Sequence, residues 1–199
     1  GCVYVADTNS HRIQKFDGSG TFIKQWGEYD ELAPGKFSGP KGIAVANGSV
    51  YVADTGHDAI QQFSTNGTFA NMWGTEFLSS PDGIAVGTDN NVYVADTAHN
   101  HIHRFDSTGT CTGTFTNSFS SPAGIAIDSS GSIYIADTSN HRICKLNSAG
   151  TPTLTFGSQG NSNGILNSPY SSAIGIDGSI YVADTNNHQI QRFSATGTF

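Results

Sequence analysis

The hydrophobic residues of this chain fall in short runs that alternate with polar residues and are separated by turn-forming positions. In the clearest stretch, which starts at Pro122, four such runs read GIAI, SIYIADT, HRICKL and TPTLTFG, with Ser, Asn, Asp and Gly between them. Short runs of β-branched and aromatic residues bounded by Gly, Asn or Asp are typical of β-strands joined by tight turns. The pattern therefore predicts four-stranded antiparallel sheets in an all-β protein.

The same unit recurs along the chain. Its second strand ends in YVADT or YIADT at five places, which start at residues 4, 51, 93, 134 and 181. Spacings of this size are typical of propellers and solenoids, in which each repeat is one structural unit. We therefore predict a single domain over residues 1–199, with repeats near 1–39, 40–80, 81–121, 122–168 and 169–199.

The second strands are apolar on both faces, as in Ile133-Tyr134-Ile135-Ala136, so both faces of each sheet have to be covered. Packing consecutive sheets face to face around an axis achieves this without helices, which predicts a β-propeller. A glycine recurs between the third and fourth strands of every unit, where we expect a backbone conformation that a Cβ would strain. These glycines are Gly20, Gly67, Gly109, Gly150 and Gly197.

The first and last units are shorter than the others. Residue 1 falls just before a second strand, and Phe199 falls just inside a fourth strand. The strand inventory thus predicts three complete blades and two incomplete ones. Either residues beyond these ends complete a ring, or another chain covers the open blades by self-association, because bare sheet edges and faces are adhesive.

The pattern P-x-G-I-A-V, then Y-V-A-D-T, then N-H-R-I, seen from Pro122 to Ile143 and nearly so elsewhere, resembles the NHL repeat. The resemblance extends over the whole chain in five copies. It implies a propeller of about six blades and a binding or scaffolding role in most members. A minority of related propellers are metal-dependent lyases, lactonases or esterases, which keeps an enzymatic alternative open.

Composition narrows the function classes. The chain has 9 Lys plus Arg against 16 Asp plus Glu, a net charge of -7, and no basic cluster, which argues against a nucleic-acid partner. No apolar run is long enough to span a membrane. Three cysteines without paired spacing give no disulfide framework. The low content of charged residues, 13%, favours an extracellular or periplasmic location, where Asn47 and Asn66 would head glycosylation triplets.

The aspartate of the YVADT motif recurs too often to be catalytic in every copy. We predict a structural role, with each carboxylate accepting hydrogen bonds from the amides of its own turn as in an Asx-turn. Four residues further on, a histidine is expected to make a structural hydrogen bond, and Asp58, which replaces it in the second repeat, predicts a loosened turn. The aspartates are Asp7, Asp54, Asp96, Asp137 and Asp184, and the histidines are His11, His141 and His188.

Candidate binding residues lie at the variable position of P-x-G, just before the inner strand, where a propeller opens at its axis. Lys41, Asp82 and Tyr170 occupy it and predict a binding rim. His101 and His103 share a strand face and are the one pair with metal-like spacing, but no carboxylate completes the set. The acidic loop at residues 27–40 gives calcium or a basic partner as an alternative to a solvated loop.

The sequence as a whole predicts a non-catalytic scaffold without a cofactor that binds a protein or a small ligand at the axial face. A structural subunit of an extracellular assembly is the first alternative, and the mismatch of the terminal strands is the feature that favours it. A metal-dependent lyase or lactonase is the second. It would need a converging set of histidines and carboxylates on the inner strands, which the sequence does not contain.

Overall fold

The computed structural model describes all residues from Gly1 to Phe199 and contains eighteen β-strands in five antiparallel sheets. In every sheet the strands lie in sequence order, so each sheet is a meander of the kind that forms a propeller blade. Three sheets have four strands and two have three, which confirms an all-β fold of five repeated blades. A sixth blade is not present among these residues. No helix of the chain is long and apolar enough to cross a membrane.

The chain divides into two compact units, Gly1–Ile84 and Ala85–Phe199. The first unit contains all strands of the first and second sheets. The first sheet contains β1 (Val3–Asp7), β2 (Arg12–Phe16) and β3 (Phe22–Trp26). The second contains β4 (Pro40–Ala46), β5 (Ser49–Asp54), β6 (Ala59–Ser64) and β7 (Phe69–Trp73).

The second unit begins within the first strand of the third sheet and includes the fourth and fifth sheets. The third sheet contains β8 (Pro81–Val86), β9 (Val92–Asp96), β10 (His101–Phe105) and β11 (Cys111–Phe115). The fourth contains β12 (Pro122–Ile127), β13 (Ile133–Asp137), β14 (Arg142–Leu146) and β15 (Pro152–Phe156). The fifth contains β16 (Pro169–Ile174), β17 (Ile180–Asp184) and β18 (Gln189–Phe193).

Each unit has its core between facing sheets, as the two-sided apolar strands require. In the first unit, the buried side chains come from both sheets and from the loop between them: Ile13, Phe37, Val50, Val52 and Phe63. In the second unit, one core cluster includes Tyr93, Ile102, Ile133 and Ile135, and another includes Tyr134, Ile143, Ile180 and Val182. The strand bearing the YIADT motif, β13, contributes to both clusters because its successive side chains point to opposite faces.

Glycine is needed at two kinds of position. The five glycines between third and fourth strands all have positive φ, from 76° at Gly67 to 92° at Gly109, which confirms the predicted turn conformation. The glycine of the P-x-G motif has ordinary φ but allows neighbouring first strands to approach closely. A Cβ on Gly124 would lie 2.7 Å from the Ser171 Cα, and a Cβ on Gly42 would lie 2.2 Å from the Asp82 carbonyl oxygen.

Candidate functional site

The repeated aspartate ends the second strand of each sheet and is fully buried in four of the five copies. Its Oδ1 accepts a hydrogen bond from a backbone amide of the loop that leads into the same sheet. The donors are the amides of Ser38 to Asp54 at 2.8 Å, Ser120 to Asp137 at 2.7 Å and Asn167 to Asp184 at 2.6 Å. The carboxylate thus fixes the loop between two sheets to the end of a strand.

The prediction that the carboxylate accepts from the amides of its own turn, as in an Asx-turn, is therefore wrong. The short 3₁₀ turns that follow Asp7, Asp54, Asp137 and Asp184 receive no side-chain capping bond from them. The second oxygen of the carboxylate is instead used by side chains three, five or seven residues later. For Asp184 these are Asn187, Gln189 and Gln191. Burial would raise the pKa of Asp184, but these donors and the Asn167 amide together hold it below the ordinary value of 3.8.

The residue four positions after the aspartate is a second acceptor for the inter-sheet loops. It adopts the left-handed conformation, with φ between 51° and 62° in all five copies. The backbone amides bound are Gly39 by His11 at 2.9 Å, Ser80 by Asp58 at 2.6 Å, Ser121 by Asn100 at 2.7 Å and Ser168 by His141 at 3.0 Å. His Nδ1, Asp Oδ1 and Asn Oδ1 serve equally well because each places an acceptor at the same distance from the backbone.

The loosened turn expected at Asp58 is not observed. Residues Thr55–His57 form the same 3₁₀ turn as in the other repeats, and Asp58 closes it with φ 51° and ψ 40°. The carboxylate meets the Ser80 amide at 2.6 Å, so it fills the histidine's structural role. His57 takes a further part that the sequence did not reveal: its buried ring contacts Asp54 Oδ2 at 2.5 Å and the Asp30 carbonyl oxygen at 2.9 Å.

The two histidines of the weak metal prediction lie side by side on β10 with their ring centroids 6.0 Å apart. His103 is buried, and both of its nitrogens have protein partners: Asp96 Oδ2 at 3.0 Å and the Thr114 hydroxyl at 3.1 Å. The exposed ring of His99 also contacts Asp96, at 2.9 Å. No group of three or more His, Cys, Asp or Glu residues in the chain is arranged to hold a metal ion.

The predicted rim residues lie in the first strands of their sheets. In the first unit, Lys41 of β4 donates to Asp82 of β8 at 2.9 Å, so the structure brings this pair together. Asp82 is 5% exposed, whereas Lys41 keeps more than a third of its side chain in solvent. Tyr170 belongs to the second unit, in β16, and is 41% exposed. Their role as a binding rim stays a prediction.

The loop at residues 27–39, which we call the acidic loop, leads directly into β4 and makes several contacts within itself. Asp30 accepts the backbone amides of Leu32 and Ala33, which lowers the pKa of its carboxyl group. Glu28 pairs with Lys36. The Tyr29 hydroxyl donates to Glu31 at 3.2 Å, and this bond raises the pKa of Tyr29. The carboxylates proposed for calcium are thus engaged within the loop.

The acidic loop nevertheless presents large apolar side chains to solvent. Leu32 is 84% exposed, and Tyr29 is 54% exposed with the edge of its ring against His11. Isolated exposed apolar residues are ordinary on a protein surface, but here an aromatic and an aliphatic side chain are exposed three residues apart on one loop.

Comparison with known proteins identifies the repeat. The family model for the NHL repeat matches residues 37–63, 78–105, 119–146 and 173–193, together just over half of the chain. The first repeat seen in the sequence, near residues 1–39, is largely outside these ranges, although β1 to β3 form the corresponding strands. A search of curated proteins finds no significant match.

Solved structures align over nearly the whole chain at low identity. A streptogramin B lyase is 20% identical, with a TM-score of 0.74, and covers 98% of this chain and 65% of its own. Virginiamycin B lyase from Staphylococcus aureus is 17% identical, with a TM-score of 0.71 and coverages of 98% and 66%. A chain in a nidogen/laminin complex is 20% identical, with a TM-score of 0.80 and coverages of 98% and 72%. The chain thus spans slightly less than two thirds of the two lyases, and at these identities the likeness shows the β-propeller fold alone.

Proposed function

The chain belongs to the NHL repeat family, and from that premise we propose that it is a non-catalytic binding module that recognises a protein partner. The observation that carries the proposal is that the polar residues suited to catalysis are engaged within the fold, whereas large apolar residues of one loop are exposed to solvent. Asp54, Asp137, His11 and His141, which could serve chemistry, instead hold inter-sheet loops in place. The acidic loop, in contrast, exposes Tyr29 and Leu32 from a segment tied by its own hydrogen bonds.

The contact surface of the proposal combines this loop with the rim residue of the same unit, Lys41. The loop continues without a break into β4, whose second residue is Lys41. Tyr170, at the equivalent position of β16, is a separate candidate on the second unit. Aromatic side chains on a rigid support contribute most to binding, since their burial loses little conformational entropy. Glu31 adds a negative charge, so a partner with a basic and partly apolar patch fits best. The similarity to a chain in a nidogen/laminin complex supports a protein partner.

A capture experiment tests the proposal. The chain is immobilised, an extract of the source organism is passed over it, and retained proteins are quantified by mass spectrometry. We expect a retained protein whose yield falls about tenfold with Leu32→Ser or Tyr29→Ser, since each removes an anchor of the kind worth more than 1 kcal/mol at an interface.

The matched control is Ile176→Ser. Ile176 is fully exposed and lies on the turn between β16 and β17, which is not one of the loops that lead into the sheets. It should leave the yield unchanged. Equal loss with all three variants, or retention that none of them alters, contradicts the proposed surface.

A lyase or lactonase activity is a second candidate, favoured by the alignment of two lyase structures over 98% of the chain. It is tested by incubating the purified chain with virginiamycin B and Mg²⁺, Ca²⁺ or Zn²⁺ and following ring opening by mass spectrometry. Turnover above a heat-denatured control would replace the binding proposal with the enzymatic one.

A structural role in an extracellular or periplasmic assembly, or in a longer ring of about six blades, is the third candidate. Its support lies on the fifth sheet. The threonine after the repeated aspartate donates its hydroxyl to a proline carbonyl oxygen of the next sheet, at 2.8 Å, in three copies: Thr55, Thr97 and Thr138. In the fifth sheet, the Thr185 hydroxyl donates instead to the Ala183 carbonyl oxygen of its own sheet at 3.4 Å. Ile190 of the same sheet is 67% exposed. Light scattering of wild type and Ile190→Asp tests self-association: a mass that falls to that of one chain in the variant supports it.

A further inference from the structure

Two adjoining cavities open where the first and second strands of the sheets in the second unit join. The larger measures ≈ 370 Å³ and lies among the β12–β13 and β16–β17 turns. The smaller measures ≈ 220 Å³ and shares Ile127 and Ser130 with the larger. A volume near the lower end of the range seen for small-molecule sites suits a compact ligand. Neither cavity involves the acidic loop or the rim residues.

Lys145 is the unusual residue of the larger cavity. Its side chain is 22% exposed, its ammonium group pairs loosely with Asp128 Oδ2 at 3.9 Å, and the Tyr134 ring centroid is 4.9 Å away. At 3.9 Å the pairing with Asp128 is long for a hydrogen bond, so the ammonium group can turn N–H donors toward the larger cavity.

Cations at the same position in other repeats lie closer to their acceptors than Lys145 does. Lys15 in the first sheet also lies over a tyrosine, with its ammonium group 5.3 Å from the Tyr4 ring centroid, but it donates to the Thr65 carbonyl oxygen at 2.9 Å. Arg192 in the fifth sheet donates to Asp177 at 2.8 Å. Among these three cations, Lys145 has the longest separation from its acceptor, 3.9 Å.

The charges of the larger cavity favour an uncharged ligand. Lys145 and Asp128 are its only ionisable side chains of opposite sign, so they balance. Asp128 Oδ1 already accepts from the turn residues Ser130 and Ser132, whereas Oδ2 accepts the Tyr134 hydroxyl and lies 3.9 Å from the Lys145 ammonium group. An anion would meet this carboxylate, and a cation would meet the ammonium group. A ligand hydroxyl can accept from Lys145 and donate to Asp128 at once.

The remaining walls are apolar. Ile127, Ile174 and the fully exposed Ile176 line the larger cavity, which suits a ligand with one C–H-rich face. The smaller cavity repeats the polar part of the larger one, since the Tyr93 hydroxyl donates to Asp89 at 2.9 Å as Tyr134 does to Asp128 at 3.0 Å. A ligand built of repeating units matches a repeated site.

We infer that the two cavities form a binding site for an uncharged disaccharide, with Lys145 donating to a sugar hydroxyl in the larger cavity and the second sugar ring extending toward Asp89. The site is independent of the proposed protein-binding surface, and either one can fail without the other.

The test is an NMR titration of the ¹⁵N-labelled chain with cellobiose, maltose, lactose and N,N′-diacetylchitobiose, each to about 50 mM because weak single-site ligands bind in the millimolar range. We expect at least one disaccharide to cause saturable shifts of the Ser129, Ser130 and Ile176 amide signals. Lys145→Met should weaken this binding about tenfold, the loss expected for one hydrogen bond from a charged donor. Lys145→Gln serves as a second variant if the methionine variant does not fold.

Lys15→Met is the matched control, because it removes a cation from the same repeat position but lines neither of the two cavities, and it should bind the sugar as wild type does. Sodium acetate and sodium phosphate are titrated in parallel. The inference is overturned if no disaccharide shifts these signals, if acetate or phosphate shifts them and the sugars do not, or if both Lys145 variants bind with unchanged affinity.

Discussion

Replacing Asp137 with alanine removes a group that connects three parts of the second unit. Its Oδ1 accepts the Ser120 amide at 2.7 Å, and its Oδ2 accepts Arg142 Nε at 2.7 Å and Asn140 Nδ2 at 2.9 Å. The carboxylate is fully buried. The substitution leaves the Ser120 amide without its acceptor and Arg142 without its counter-charge.

The expected cost follows from these contacts. A buried amide left unsatisfied costs about 1–3 kcal/mol, and a charged hydrogen bond contributes about 1.5–3 kcal/mol. Arg142 is 29% exposed and can turn partly to water, which reduces the cost of losing the charged hydrogen bond. We therefore expect Asp137→Ala to lower the free energy of unfolding by about 3–4 kcal/mol, near the lower end of the range for breaking a buried ion pair.

The assay is urea unfolding followed by circular dichroism, with Asp7→Ala as the matched variant. Asp7 has the same place in its repeat and also binds an arginine, Arg12 at 2.7 Å, but it binds no loop amide and is partly exposed. It should therefore destabilise the chain much less than Asp137→Ala. Equal losses for the two variants would refute the reasoning, because the loop amide and burial would then contribute nothing.

Three further predictions address packing, pH and thiol reactivity. Gly124→Ala should lower the free energy of unfolding by about 1–3 kcal/mol in the same assay, because the new Cβ meets the Ser171 backbone; a wild-type value contradicts the close approach. The pKa of Asp184 is lowered in the folded chain, so the stability that its carboxylate contributes is present above about pH 4 and is lost as the pH falls through the folded pKa. Asp184→Asn should therefore flatten the acid side of a plot of unfolding free energy against pH. An unchanged plot would contradict this reasoning. Burial raises the pKa of the Cys144 thiol, so iodoacetamide should modify exposed Cys2 first and Cys144 only under denaturing conditions. Peptide mass mapping measures the modification at each cysteine. Equal rates of modification at both cysteines would contradict the burial of Cys144.

Much of the fold could be predicted from the sequence because the repeat makes local signals visible five times. The strands, the incomplete first and last sheets and the positive φ of the hairpin glycines all follow from periodicity and turn chemistry. A single copy would not have distinguished a required glycine from an incidental one. Four of the five repeats also carry enough of the pattern for the family model to match.

The partners of the repeated aspartate could not be predicted in the same way. Ser38 lies 16 residues before Asp54, and Ser120 lies 17 residues before Asp137, so local turn chemistry does not reveal the contact. The role of the residue four places later could have been predicted, because the His, Asp and Asn found there all carry a hydrogen-bond acceptor close to the backbone. The sequence also gave no sign of Lys145, because its difference from Lys15 lies in the neighbours that each side chain meets.

The most direct measurement of the central claim is the location of the contact with the captured partner. Amide hydrogen exchange of the chain, alone and in complex with that protein, reports it residue by residue. The account expects added protection across residues 27–39, with the turn between β16 and β17 unchanged. Protection confined to that turn or to other hairpin turns, with residues 27–39 exchanging as in the free chain, would contradict it.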